Sequence, residues 1–202
     1  MTPINVEIIG MDAVLRRFEG MAAALSNTAP LRAIVGERLV ESTRRRFVTS
    51  TAPDGSAWAP LALSTTQQTI ARYGKSLRRS KNGKPMAGVT ADALNAKGRQ
   101  RLAGRKPLVD TGALAASTFW QNEGQNLVIA TNNSVAAFHQ FGTRAHTIRA
   151  KNKKALAWPG GDHPVKQVNH PGIKARPFFG LSNEDGAMML RETGAYILGY
   201  TR

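Results

Sequence analysis

APLRAIVGERLVESTRRRFVT, residues 29–49, is the stretch on which the fold turns. Leu31, Ile34, Val35, Leu39 and Phe47 fall along one stripe at helical spacing. Arg32, Glu37, Arg38, Glu41, Arg44 and Arg45 lie on faces that can stay in water. Pro30 stands near the start, where a missing N–H costs least. The pattern predicts a helix from about residue 29 to residue 49 as the backbone of the domain.

Upstream of it, Asn5–Ile9 (NVEII) alternates, is rich in β-branched residues and reads as a strand. A short helix after Gly10 is expected to bury Val14, Leu15, Phe18 and Met21 on one face. Downstream, TAPDGSAW (51–58) is a turn by its chemistry, with Pro53, Asp54 and Gly55 in sequence. Trp58 and Leu61 then re-enter the core, and Thr65–Tyr73 suits another short helix. Residues 74–107 lack apolar periodicity and are rich in Lys, Arg, Gly and Ser. Such a piece cannot bury enough surface to offset its ordering entropy, so it is expected to be a basic insertion, mobile until bound. Only residues 91–104 could become helical there.

Order resumes with LVDTGALAAS (108–117), where Asp110 or Thr111 is expected to cap a brief helical turn. STFWQ (117–121) and NLVIA (126–130) read as two strands around a loop holding Gly124. SVAAFHQFG (134–142) is a short helix stopped by Gly142. HTIRA (146–150) and KALAW (154–158) suit a hairpin, and 159–172 reads as loop. SNED (182–185) starts a last helix that runs to about Tyr200 and is expected to bury Met189, Leu190, Ile197 and Leu198. The order implies one α+β domain over 1–202, with a largely antiparallel sheet packed against the long helix and the C-terminal helix. Residues 144–174 form an extended hairpin and loop in this reading.

Composition narrows the function. The chain has 28 Lys+Arg against 13 Asp+Glu, a formal charge of +15, which attracts polyanions without specifying a fold. With no cysteine there are no disulfides and no thiolate metal sites. No apolar run reaches the roughly 18 residues of a membrane span, so no membrane partner is expected. MTPINVEIIGMD carries acids and no basic n-region, unlike a signal peptide. These features suit a soluble protein of the cytoplasm or of a particle assembled there.

Chemistry is thinly represented. Gly74–Ser76 (GKS) resembles the tail of a phosphate-binding loop, but Thr69 stands where its first glycine belongs. His139, His146, His163 and His170 are never closer than seven residues, and only Asp162 supplies a nearby carboxylate. A zinc site wants tighter convergence, so structural or surface roles are expected, and a metallohydrolase is a distant third reading. No G-x-S-x-G occurs, and Asp54 and Asp110 are explained by their turns. No catalytic residue, cofactor or metal is expected.

Backbone-type DNA contact has more support. Lys75, Arg78, Arg79, Lys81, Lys84, Arg99, Arg101, Arg105 and Lys106 crowd the insertion, and Lys151, Lys153 and Lys154 form a second group. They can neutralise phosphates, but no interleaved aromatics offer base stacking. A solvated basic loop or a contact to an acidic protein stands equally open.

Four pieces, PDGSAW (53–58), LVDTGALAAS (108–117), AAFHQFGT (136–143) and ARPFFGLS (175–182), together resemble the phage virion morphogenesis family. The resemblance spans Ile4 to about Tyr200 and is least informative at 74–107 and 159–172. It implies a structural assembly protein that completes the tail or joins it to the head of a tailed phage, located in the virion's tail or neck. It further implies a homo-oligomeric ring, expected to be a hexamer, around the DNA channel. The tail tube or sheath protein, a head–tail connector or neck protein and the genomic DNA are the implied partners. A free sequence-independent DNA-binding protein is the alternative. In this light Phe138 and Phe141 are expected to anchor their helix to the core, and Arg144 to help launch the hairpin. Pro177 pushes Arg176 towards an extended conformation. Phe178 and Phe179 would then point to opposite sides, one to the core and one to a neighbour. All six are expected at a subunit or partner interface.

Overall fold

The computed structural model describes residues 11–62, 65–66, 100, 102–157 and 163–199. The strand expected at 5–9, most of the helix at 65–73 and most of the insertion lie outside these residues, as do Lys75, Arg78, Arg79, Lys81, Lys84, Arg99 and Arg101. In order, the described elements are α1 (Met11–Ser26), α2 (Ala29–Thr49), α3 (Ala113–Ala116), β1 (Thr118–Glu123), β2 (Asn126–Thr131), α4 (Ala136–Phe141), β3 (His146–Arg149), β4 (Gln167–His170) and α5 (Asn183–Gly199). The class is α+β. Among the described residues the strands form two separate two-stranded sheets, β1–β2 and β3–β4, in place of the one larger sheet expected.

The chain divides into two compact units interleaved in sequence: unit 1 contains Met1–Thr43, Thr118–Ala130 and Leu181–Arg202, and unit 2 contains Arg44–Ser117 and Thr131–Gly180. Helix α2 occupies the span its periodicity predicts and passes from unit 1 into unit 2 at Thr43–Arg44.

In unit 1, α2 buries Val35, Leu39 and Val40. Gly36 gives Trp120 its place: a Cβ there would stand 2.6 Å from the indole ring. The indole Nε1 donates to Glu37 Oε1 at 2.8 Å. Arg32 Nε donates to Asn122 Oδ1 at 3.1 Å, tying the β1–β2 hairpin to the same helix. Helix α5 begins with a reciprocal cap. Asp185 N donates to Ser182 Oγ at 3.1 Å, and Ser182 N donates to Asp185 Oδ2 at 2.9 Å. It lies against α1, and Tyr196 Oη donates to Asn27 O at 2.6 Å.

Two helix readings require correction here. α1 keeps Val14, Leu15 and Phe18 exposed and buries Ala24 instead. In α5, Leu190 and Leu198 are exposed, against the expectation that they are buried. Met21 of α1 and Met189 and Ile197 of α5 are half-buried, so each expected face is only partly covered.

Unit 2 is built round Phe47, Ala52, Trp58, Leu114, Ala136 and Phe178, with Leu108, Val109, Ala115 and Phe179 packed against them. Trp58 meets Phe47 edge-on at 5.4 Å between centroids, and Phe178 lies 5.2 Å from Phe47. From this core projects an arm in which β3 pairs antiparallel with β4, His146 opposite His170. The bridges Thr143↔Ile173 and Leu156↔Val165 extend the pairing on either side. The strand expected at 154–158 is therefore replaced by 167–170, which read as loop. The longer arm wins because it pairs β3 over its whole length while Gly142 and Gly172 take the tight approach at its base.

Candidate functional site

Three of the four pieces that carry the family likeness meet through hydrogen bonds in unit 2, and the fourth adds Leu114 to the core. In PDGSAW, Ser56 N and Oγ both donate to Asp54 Oδ1, at 2.9 and 2.6 Å. The Ser56 hydroxyl first, and then its backbone N–H, hold the Asp54 carboxyl below its ordinary pKa. Gly55 follows at φ 83, closing the turn. Trp58 Nε1 then donates to Pro177 O at 2.8 Å, joining the first piece to ARPFFGLS.

Gln140, from AAFHQFGT, clamps the same segment. Its Oε1 accepts from Phe178 N and Phe179 N, both at 3.0 Å, and its Nε2 donates to Phe179 O at 3.0 Å. Arg46 of α2 donates from Nη1 to Phe178 O at 2.7 Å and Gly180 O at 2.8 Å. Arg176 donates from Nε to Ala59 O and from Nη2 to Pro60 O, both at 2.7 Å. Two buried arginines thus serve backbone carbonyls of irregular segments, which would otherwise be buried without donors.

His139 lies beside Arg176, whose backbone N–H donates to His139 O at 2.7 Å. Burial first, and then the Arg176 charge, lower the His139 pKa, and its buried Nδ1 has no hydrogen-bond partner among the described residues. Both influences favour the neutral form of the imidazole. On the arm, His146 and His170 stack at 5.1 Å. Gly172 N donates to His170 Nδ1 at 3.0 Å, which occupies the lone pair a metal would need. Among the described residues no group of three or more His, Asp or Glu converges as a metal site.

The proposed interface residues separate sharply. Phe178 is 0% exposed and Arg176 is buried, so both hold the core of unit 2 rather than face a neighbour. Phe179 packs on the same core, its ring 4.7 Å from that of Phe178. The opposite-sides expectation fails because residues 176–180 are not a strand; the Gln140 clamp binds both amides on one side. Phe138 and Phe141 reverse the other way, at 52% and 79% exposed, because Ala136 supplies the buried contact of α4. Arg144 is exposed.

The cationic residues divide similarly. Arg105 Nη2 pairs with Asp110 Oδ1 at 2.8 Å, and Lys106 Nζ donates to Val48 O. Both are engaged within the unit, where the sequence suggested DNA. Asp110 and Thr111 do not occupy the cap position of α3, which falls to Gly112 at φ 80, although Thr111 Oγ1 accepts from Ala113 N. On the arm Arg144, Arg149, Lys151, Lys153, Lys154, Lys166 and Lys174 are all exposed, with no described carboxylate among them.

Arg46 and Gln140 were not singled out from sequence. For Arg46 the signal was present: Val35, Leu39, Thr43 and Arg46 continue one stripe, so the arginine sits in line with buried residues. Gln140 carries no such mark.

In unit 2, then, the pieces of sequence that carry the likeness hold the chain's own backbone together beside an exposed cationic arm. The pattern of the phage virion morphogenesis family matches residues 9–197, and the chain belongs to that family. No curated protein and no solved structure matches the chain. Among the described residues no helix is long and apolar enough to cross a membrane.

Proposed function

We propose that this virion morphogenesis protein completes the phage tail or joins it to the head, as a closed homo-oligomeric ring, a hexamer, around the DNA channel. It sits at the tail or neck of the particle and contacts the tail tube or sheath protein on one side and the connector or neck protein on the other. The observation that carries the reading is the arm of a chain in this family: seven exposed lysines and arginines and no described carboxylate between Thr143 and Lys174. A lumen lined by such arms attracts phosphate without reading bases. Electron cryomicroscopy of virions tests it, since the subunit belongs at the neck in cyclic symmetry. Monomeric protein absent from that region refutes it.

The same arm favours one other reading, a free sequence-independent DNA-binding protein. Its affinity would fall steeply with salt, each neutralised phosphate adding about 0.9 to the log–log slope. Nanomolar binding by the isolated monomer across a salt series selects this reading over the ring.

A further inference from the structure

Helix α1 carries Met11, Leu15, Phe18, Ala22 and Leu25 at alternating spacings of four and three. That is the seam of a helix built to pack on a partner. The whole seam is exposed: Met11 43%, Leu15 51%, Phe18 63% and Leu25 65%, with Ala22 also exposed. Ala24, on the opposite side of the helix, is the buried residue. Asp12 and Glu19 flank the seam, and Arg16 and Arg17 fall on the far side.

A second apolar patch lies on unit 2, where Phe138 and Phe141 share one face of α4. Beside it stand Arg144 and Lys174, each following one residue of the Thr143↔Ile173 bridge. The two units also differ in charge. Among the described residues, unit 1 carries 5 Lys+Arg against 8 Asp+Glu, and unit 2 carries 13 against 2.

We infer that these unlike patches are the two halves of one junction: the α1 seam of one copy, at Leu15 and Phe18, receives Phe138 and Phe141 of the next. Asp12 and Glu19 then face the cations beside α4. The occupant is another copy because unit 2 supplies both the apolar residues and the opposite charge that the seam lacks. A second α1 would bring the same acidic flank, its own Arg16 and Arg17 lying on the far side of the helix. Two unlike patches on every subunit give head-to-tail association, which closes into a ring when the rotation permits. The inference rests on the ring reading and adds which faces meet.

The chain has no cysteine, so placed cysteines report contacts without background. Phe18→Cys, Phe141→Cys and the double variant are treated with a short bismaleimide, after light scattering establishes the state of the unaltered protein. The expected result is a ladder of covalent multimers from the double variant and none from either single variant. Covalent dimers from Phe18→Cys alone would reveal α1 against α1 and overturn the junction, as would a double variant that gives no ladder while the unaltered protein is oligomeric. A monomeric unaltered protein removes the ring and the junction with it. Leu15→Cys replaces Phe18→Cys if circular dichroism shows that the latter has lost helix.

Discussion

Phe178 and Phe18 are the same side chain in two settings. Phe178, in an irregular segment of unit 2, is 0% exposed; Phe18, on a regular helix of unit 1, is 63% exposed. Around Phe178 the burial is set by residues distant in sequence, since Arg46 and Gln140 hold its backbone while Phe47 meets its ring. Around Phe18 the periodicity is better, yet the helix turns Ala24 inward and its larger side chains outward. Period therefore identifies an apolar face, and long-range partners decide which way that face looks.

The strongest way to break this contrast is Phe178→Ala. Removing a wholly buried phenylalanine is expected to cost about 4 kcal/mol of stability, read as a lower urea midpoint with an unchanged slope. A loss below about 1 kcal/mol would mean that the surrounding core collapses into the space and that Phe178 is not its anchor.

Gly142→Ala comes next. Gly142 has φ 72 and ψ −178, a conformation essentially reserved for glycine. An added Cβ would lie 2.6 Å from Ile173 O and 2.9 Å from Ala175 N, both backbone atoms that cannot swing aside. The expected cost is about 3 kcal/mol from strain and overpacking together. It should appear first as faster hydrogen exchange at Thr143 and Ile173, whose amides bond across the base of the arm. Gln140→Leu follows at about 2 kcal/mol, because it leaves the Phe178 and Phe179 amides without their acceptor. Unchanged melting of that variant would show that water can take the place of the clamp.

These variants fall where the sequence was hardest to read. α2, β1, β2, α4 and α5 were legible because each announces itself within its own span. A helix has its stripe, the hairpin has Gly124, and α5 has its Ser182 cap. The strand partner of β3 was not legible, since Lys154–Trp158 resembles a strand locally and the actual partner, Gln167–His170, has only the apolar Val168. Of the residues expected at an interface, Phe138, Phe141 and Arg144 are at the surface, whereas Arg176 and Phe178 are interior. Nothing local separates FHQF from RPFF; the difference comes from Gln140, which reaches from one to the other.

A smaller effect sharpens the buried side of the comparison through pH. The folded state lowers the His139 pKa, so it binds fewer protons there than the unfolded chain does near the ordinary value of about 6.5. Stability from this group is complete above that value and declines as pH falls through it towards the lower folded pKa. Thermal midpoints of the parent and of His139→Gln, compared at pH 7.5 and pH 5, should converge on the acidic side if burial is the cause. An acid-side loss identical in both proteins would trace it to other groups.

Phe18→Ser is expected to have the smallest effect on folding and therefore tests the other pole. Serine and phenylalanine have similar helix propensity, and most of the ring already lies in water. Stability should move by no more than about 0.5 kcal/mol. If helix α1 serves only its own unit, that near-neutrality should extend to every property of the protein. If its seam exists for another copy, the same substitution should leave the monomer's melting untouched while weakening self-association, seen by light scattering as a shift to smaller species. A substantial fall in the monomer's own stability would instead show that Phe18 packs within its unit in solution, and the contrast with Phe178 would then be one of degree.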